Sequence, residues 1–192
     1  MAPYLIQMSG APGSGKSTIA ALLRTSLPTP AAVLDHDVLR STLLESGTPF
    51  SAAATLAYKL QWSLARDLMT QGLTLIVDSP CNSAEVVENG SALAAELGFE
   101  YWYVECRVRR ELMDRRLRAR AEEGARPSQR TGVERPPAAR ADEAGREEEV
   151  WDKVPCRPGR NVVVVDSEGE PEALRDEILA RIQGGNSAVA AL

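Results

Sequence analysis

The sequence predicts an α/β domain in which a parallel sheet is covered by helices on both faces. Short apolar runs alternate with longer segments of helical periodicity along most of the 192 residues. Two of those runs, Leu75 to Val77 and Val162 to Val165, are aliphatic without polar alternation, as strands buried on both sides require. A glycine-rich run, Gly10 to Ser17, joins the first apolar run to the first helical pattern.

Taken in chain order, strands are expected at Tyr4 to Met8, Ala32 to Leu34, Leu73 to Val77, Tyr101 to Glu105 and Val162 to Val165. Helices are expected at Lys16 to Leu27, Asp37 to Glu45, Ser51 to Thr70, Ala84 to Leu97, Arg109 to Glu122 and Pro171 to Gln183. Within the first helix, Ile19, Leu22, Leu23 and Leu27 recur with helical spacing and form its buried face. Ligands of such sheets collect at the carboxyl ends of the strands, and Gly10, Asp35, Asp78 and Cys106 are expected just past such ends. Gly124 to Arg160 is rich in Pro, Gly, Arg and Glu, with little periodicity before Trp151, and suits a mobile cover. Residues 1–183 are expected to form one domain, with a lid at about 107–158 and a frayed tail at 184–192.

Composition narrows the function classes. The chain is 44% hydrophobic and 26% charged, and no apolar stretch reaches the length of a membrane span. Without a basic region leading into an apolar signal core, a cytoplasmic location is expected. Cys81, Cys106 and Cys156 are widely spaced, with His36 as the sole imidazole, and read as free thiols. The net charge is −5, yet Arg107 to Arg146 holds twelve arginines against seven acids, so the anionic ligand is expected at that basic segment. An acidic chain is a poor general nucleic-acid binder, although a local contact with an oligonucleotide end is compatible with it.

Gly10, Ala11, Pro12, Gly13, Ser14, Gly15, Lys16 and Ser17 satisfy the Walker A spacing at every required position. Glycines let the backbone bring its N–H groups against phosphate oxygens. Lys16 supplies a cation for the β and γ phosphates, and the hydroxyl of Ser17, or secondarily Thr18, completes the shell of Mg²⁺. The helix that follows points its positive end at the same anion. The alternative is a glycine-rich turn that binds nothing. The strand before the loop and the helix after it favour an ATP site.

After the second strand comes LDHDVLRS, in which Asp35 and Asp37 bracket His36 and Arg40 follows Asp37 by three. On a helix starting at Asp37 that spacing puts Asp37 and Arg40 on one face. A carboxylate there can take the proton of an attacking hydroxyl while a guanidinium holds an anionic group of the same acceptor. The alternative is a helix cap with a solvated arginine. His36 is expected to be a partly exposed loop side chain rather than a proton carrier. Asp78, at the end of LTLIVD, is expected either to bind the substrate or to cap the next turn, with Ser79, Cys81 and Asn82 as secondary pocket candidates. Tyr58 and Trp62 are expected in the core.

GAPGSGKST, DHDVLR, the strand ending VDSP and the arginine series ELMDRRLRAR resemble the P-loop kinase group that includes polynucleotide 5′-hydroxyl kinases, chloramphenicol phosphotransferase, gluconate kinase and adenylylsulfate kinase. The likeness runs from Tyr4 to about Arg120. It implies a P-loop NTPase three-layer sandwich, a five-stranded parallel sheet with a helical lid. Asp37 and Arg40 match the Asp-x-x-Arg element of polynucleotide kinases, whose Asp is the general base and whose Arg binds an acceptor-side phosphate. His36 and Val38 depart from the Gly and Asn of the adenylylsulfate kinase element.

The resemblance also implies that lid arginines reach the triphosphate. Arg116 and Arg120, four apart on one helical face, are the expected pair, with Arg126 behind them. Outward arginines are expected to pair with Glu111, Asp114 and Glu122. The expected activity is transfer of the γ-phosphate of ATP to a hydroxyl acceptor by a monomer or homodimer. That acceptor is a polynucleotide 5′ end or a small, preferably anionic, molecule. In the rival class, an ATPase or nucleotide switch, a second acid typically follows the third strand, where this chain has Asp78-Ser79-Pro80.

Overall fold

The computed structural model describes residues 3–81, 83–129 and 156–185. Asn82, Trp151, most of the expected cover and the tail beyond 185 lie outside the described residues. Five strands form one parallel sheet: β1 (Tyr4–Ser9), β2 (Ala31–Asp35), β3 (Thr74–Asp78), β4 (Glu100–Arg107) and β5 (Val162–Asp166), in the order β2-β3-β1-β4-β5. Six helices are present among the described residues: α1 (Lys16–Ser26), α2 (His36–Glu45), α3 (Phe50–Thr70), α4 (Ala84–Leu97), α5 (Arg110–Glu123) and α6 (Pro171–Gly185). None of them is long and apolar enough to cross a membrane.

The sheet is buried because both faces carry aliphatic side chains. On one face Ile6, Met8, Ile76, Val104 and Val163 pack against Ile19 and Leu23 of α1 and Ile178 and Ile182 of α6. On the other, Leu5, Leu75 and Val77 meet Ala65 and Met69 of α3 and Leu93 and Ala94 of α4. Alternate residues of one strand thus serve opposite cores, so the strand runs contain no polar alternation. Trp62 packs at the edge of the second core and Tyr58 against a smaller cluster with Cys81 and Tyr103, as expected of both.

Strand register fixes the site. β1 lies between β3 and β4, with Met8 opposite Asp78 and Ser9 opposite Glu105, while Asp35 lies opposite Asp78 across the β2–β3 ladder. Asp35 and Asp78 are therefore the last residues of their strands, and Cys106 also lies within β4, rather than just past the strand ends. Ladder pairing holds the backbone extended for one residue more than the apolar pattern indicates in β2 and β3, and for two in β4. The second helix starts at His36 because the carboxylate of Asp35, not Asp37, caps it by accepting from the Asp37 amide at 2.8 Å.

Candidate functional site

The loop between β1 and α1 has the backbone that its glycines predict. Gly10 has φ 129°, and a Cβ there would lie 2.2 Å from the carbonyl oxygen of Cys106. Gly13 has φ 82°, and its Cβ would press on the Leu117 side chain of α5 at 3.1 Å. No side chain caps α1, whose cap residue is Gly15, so its first amides remain available to an anion. Lys16 folds back over the loop, its Nζ donating to the carbonyls of Gly10 and Ala11 at 2.9 Å each. A cleft of about 440 Å³ is lined by this loop together with Ser17, Thr18, Asp35, Asp37, Arg40, Asp78 and Arg120.

Asp78 is 5% exposed, and burial pushes its carboxyl above the ordinary value. Lys16 and a hydrogen bond with Ser17 oppose that shift, while Asp35 and Asp37 add to it. A buried carboxylate facing a hydroxyl and a lysine beside the loop suits a hard divalent cation. Mg²⁺ takes one or two protein oxygens and fills its remaining positions with water and phosphate. No group of three or more His, Cys, Asp or Glu able to hold a metal occurs among the described residues. Ser79 is buried and accepts from the Gln7 amide at 3.0 Å, and burial pushes the Cys81 thiol up to about 12.

Asp37 and Arg40 do share a face. The Arg40 guanidinium donates to Asp37 Oδ1 at 3.0 Å and to the Ser128 carbonyl at 3.1 Å, stacks over Phe50 at 5.4 Å, and has a buried Nε with no partner among the described residues. Asp37 is about one-third exposed in its side chain and Arg40 17%, so this arginine is not a solvated surface charge. Asp35, besides capping α2, accepts from Arg126 at 2.9 Å. His36 corrects the sequence expectation: it is fully buried, its Nδ1 3.1 Å from Gln61 Oε1 and its ring 4.2 Å from that of Tyr58. The first turn of α2 faces α3, and that packing turns the imidazole inward.

The arginines divide by the side of α5 that carries them. Arg120 lines the cleft, and Arg116 donates to the carbonyls of Ser167 at 2.8 Å and Gly13 at 3.4 Å, tying the helix to the loop. Arg118 faces outward and pairs with Asp114, as expected. Sequence reasoning missed Ser128 and Glu105. Ser128 is buried against α2, with no motif to announce it. Glu105, 3% exposed at the end of β4, is held by Arg107 at 2.7 Å and by Arg157 at 2.6 and 2.9 Å. Burial raises its carboxyl, but the two arginines outweigh burial and leave it below the ordinary range. A charged residue inside the apolar run YWYVEC was the available signal.

The sequence matches the AAA domain family over residues 5–134. No curated protein matches the chain. Among known structures, a putative kinase from Chloroflexus aurantiacus J-10-fl superposes with a TM-score of 0.70 at 20% identity, over 94% of this chain and 99% of that one. The Mycobacterium tuberculosis APS kinase CysC in complex with AMPPNP and APS gives 0.64 at 21% identity, over 95% and 98%. A gluconokinase from Sinorhizobium meliloti 1021 gives 0.60 at 14%, over 99% and 98%. Kinase folds thus match nearly end to end, in agreement with the resemblance carried by the motifs. The chain belongs to the AAA domain family and has the five-stranded parallel P-loop fold shared with these kinases.

Proposed function

We propose that this protein is an ATP-dependent phosphotransferase that moves the γ-phosphate to the hydroxyl of an acceptor carrying its own anionic group. The observation that carries the proposal is the placement of Asp37 and Arg40 in the same cleft as Lys16 and Ser17, with one Asp37 oxygen held by Arg40. Phosphoryl transfer needs in-line positioning and charge neutralisation more than covalent help. The loop amides and Lys16 hold the donor phosphates, Arg116 and Arg120 offset charge from the lid side, and Asp37 orients the acceptor hydroxyl and takes its proton. Ser17 and Asp78 would hold Mg²⁺, whose chemistry is to neutralise charge on the phosphates. Arg40, with its buried Nε, supports an acceptor bearing a phosphate, sulfate or carboxylate, including a polynucleotide 5′ end.

The test uses γ-labelled ATP and Mg²⁺ with a panel of acceptors: 5′-hydroxyl RNA and DNA oligonucleotides, nucleosides, adenylylsulfate and small hydroxylated metabolites or antibiotics. Asp37→Asn is expected to lower transfer by roughly 10²- to 10⁴-fold, the usual worth of a general base. Arg40→Ala is expected to raise KM for the acceptor more than KM for ATP. Rapid ATP hydrolysis that needs no acceptor and survives Asp37→Asn would sink the proposal in favour of a nucleotide-driven switch.

A further inference from the structure

Ser128 is a buried residue whose backbone and side-chain polar groups are all engaged on the first turns of α2. Its amide donates to Ser41 Oγ at 3.2 Å, its carbonyl accepts from Arg40 at 3.1 Å, and its hydroxyl donates to Asp37, with Oδ1 at 2.8 Å and the main-chain oxygen at 3.1 Å. It belongs to a turn closed by Gln129 N donating to the Arg126 carbonyl at 2.9 Å, and Arg126 in turn pairs with Asp35 at 2.9 Å. The stretch just beyond α5 therefore reaches both acids at the junction of β2 and α2.

We infer that Ser128 is a positioning residue for the proposed general base: its hydroxyl and the Arg40 guanidinium together fix Asp37 Oδ1, so that the second carboxylate oxygen is presented to the acceptor. An aspartate with one partner can rotate about χ2, and the terminal torsion of this side chain is broad. Two donors on one oxygen, from α2 and from the segment after α5, remove that freedom. Orientation of the base then depends on this segment being docked, which couples closure of the site to its chemistry. The inference rests on Asp37 acting as the base. It concerns a residue outside the phosphate loop and the Asp-x-x-Arg pair.

The experiment is a double-mutant cycle on the full chain, reading transfer from γ-labelled ATP both to a 5′-hydroxyl RNA oligonucleotide and to water. Ser128→Ala is expected to lower kcat roughly 10- to 100-fold, the scale of a lost hydrogen bond to a charged group, with KM for ATP unchanged. In the Asp37→Asn background the same substitution is expected to cost nothing further. Ser128→Cys keeps the volume with a weak donor and is expected to show a large part of the loss, which provides a reading if the alanine variant folds poorly. Equal losses in both backgrounds would mean that Ser128 only docks the segment, and would overturn the inference. An unchanged or raised rate in Ser128→Ala, or phosphate found on Ser128 by mass spectrometry, would overturn it in favour of a hydroxyl that competes with the acceptor. Wild-type activity in Asp37→Asn would instead bring down the base assignment itself and the inference with it.

Discussion

At neutral pH the buried His36 ring is the uncharged imidazole, with one ring nitrogen protonated. Burial, followed by the nearby Arg40, lowers its value to about 4, against the opposing effects of Asp37, the Gln61 hydrogen bond and Asp35. Between pH 6.5 and about 4 the unfolded chain binds a proton at this position that the folded protein refuses, so stability rises with pH across that window. The contribution is complete above pH 6.5 and is lost as the pH falls, to the extent of about 3 kcal/mol. Urea unfolding of wild type and His36→Asn at pH 7 and pH 4.5 is expected to show the steeper acid loss in wild type. Equal losses in the two would refute the assignment. The residue was misjudged from sequence because a histidine between two aspartates reads as polar surroundings, whereas α3, twenty-five residues further along at Gln61, supplies its actual partner. Ser128 escaped notice for the same reason: its contacts lie 87 to 91 residues away along the chain. Gly10, Lys16, Asp37 and Arg40 were legible because a motif with a mechanical purpose fixes them at short spacing.

On the scale of single elements, α2 illustrates how one side chain can serve two structures. Asp35 caps the helix through Oδ1 and holds Arg126 through Oδ2. Asp35→Asn retains a capping oxygen and loses only a partly exposed ion pair, which is worth little. Asp35→Ala loses the cap as well and is expected to be about 1 kcal/mol less stable than Asp35→Asn by urea denaturation. Equal stability of the two would show that the cap contributes nothing. The strands and helices themselves were legible, because aliphatic runs and 3.6-residue periodicity report burial locally. Their ends were less so. β2 and β3 each run on through an aspartate because the neighbouring strand supplies ladder hydrogen bonds, a partner that no local pattern reveals. The arginines of α5 were separable only in part. A helical face groups Arg116 with Arg120, but only the packing of α5 on the loop, through Leu117 under Gly13, decides which face is inward.

In the whole molecule, the sheet order puts the loop strand β1 between β3 and β4, so Asp78 and Glu105 flank the phosphate loop from opposite sides. A site assembled from the ends of several strands links ligand binding to global stability. On the proposed function, ATP and Mg²⁺ at about 100 times Kd are expected to stabilise the folded state by about 2.7 kcal/mol. For a domain of this length that corresponds to a rise in Tm of roughly 5–10 °C by scanning calorimetry. Lys16→Ala is expected to abolish the rise, measured against that variant's own unliganded Tm, since in the free protein Lys16 also donates to loop carbonyls and attracts the buried Asp78. A full shift in that variant would mean that the nucleotide binds elsewhere.

The sequence by itself determined the α/β class, the phosphate loop and the acid–arginine pair after the second strand. Each of these is written in short-range spacing, and periodicity and motif geometry act over a few residues. Tertiary structure alone decided that His36 is buried and neutral, that Glu105 is a paired acid at the cleft, and that Ser128 grips Asp37. Those outcomes depend on the desolvation and hydrogen bonding that distant segments impose once the sheet order and helix packing are set.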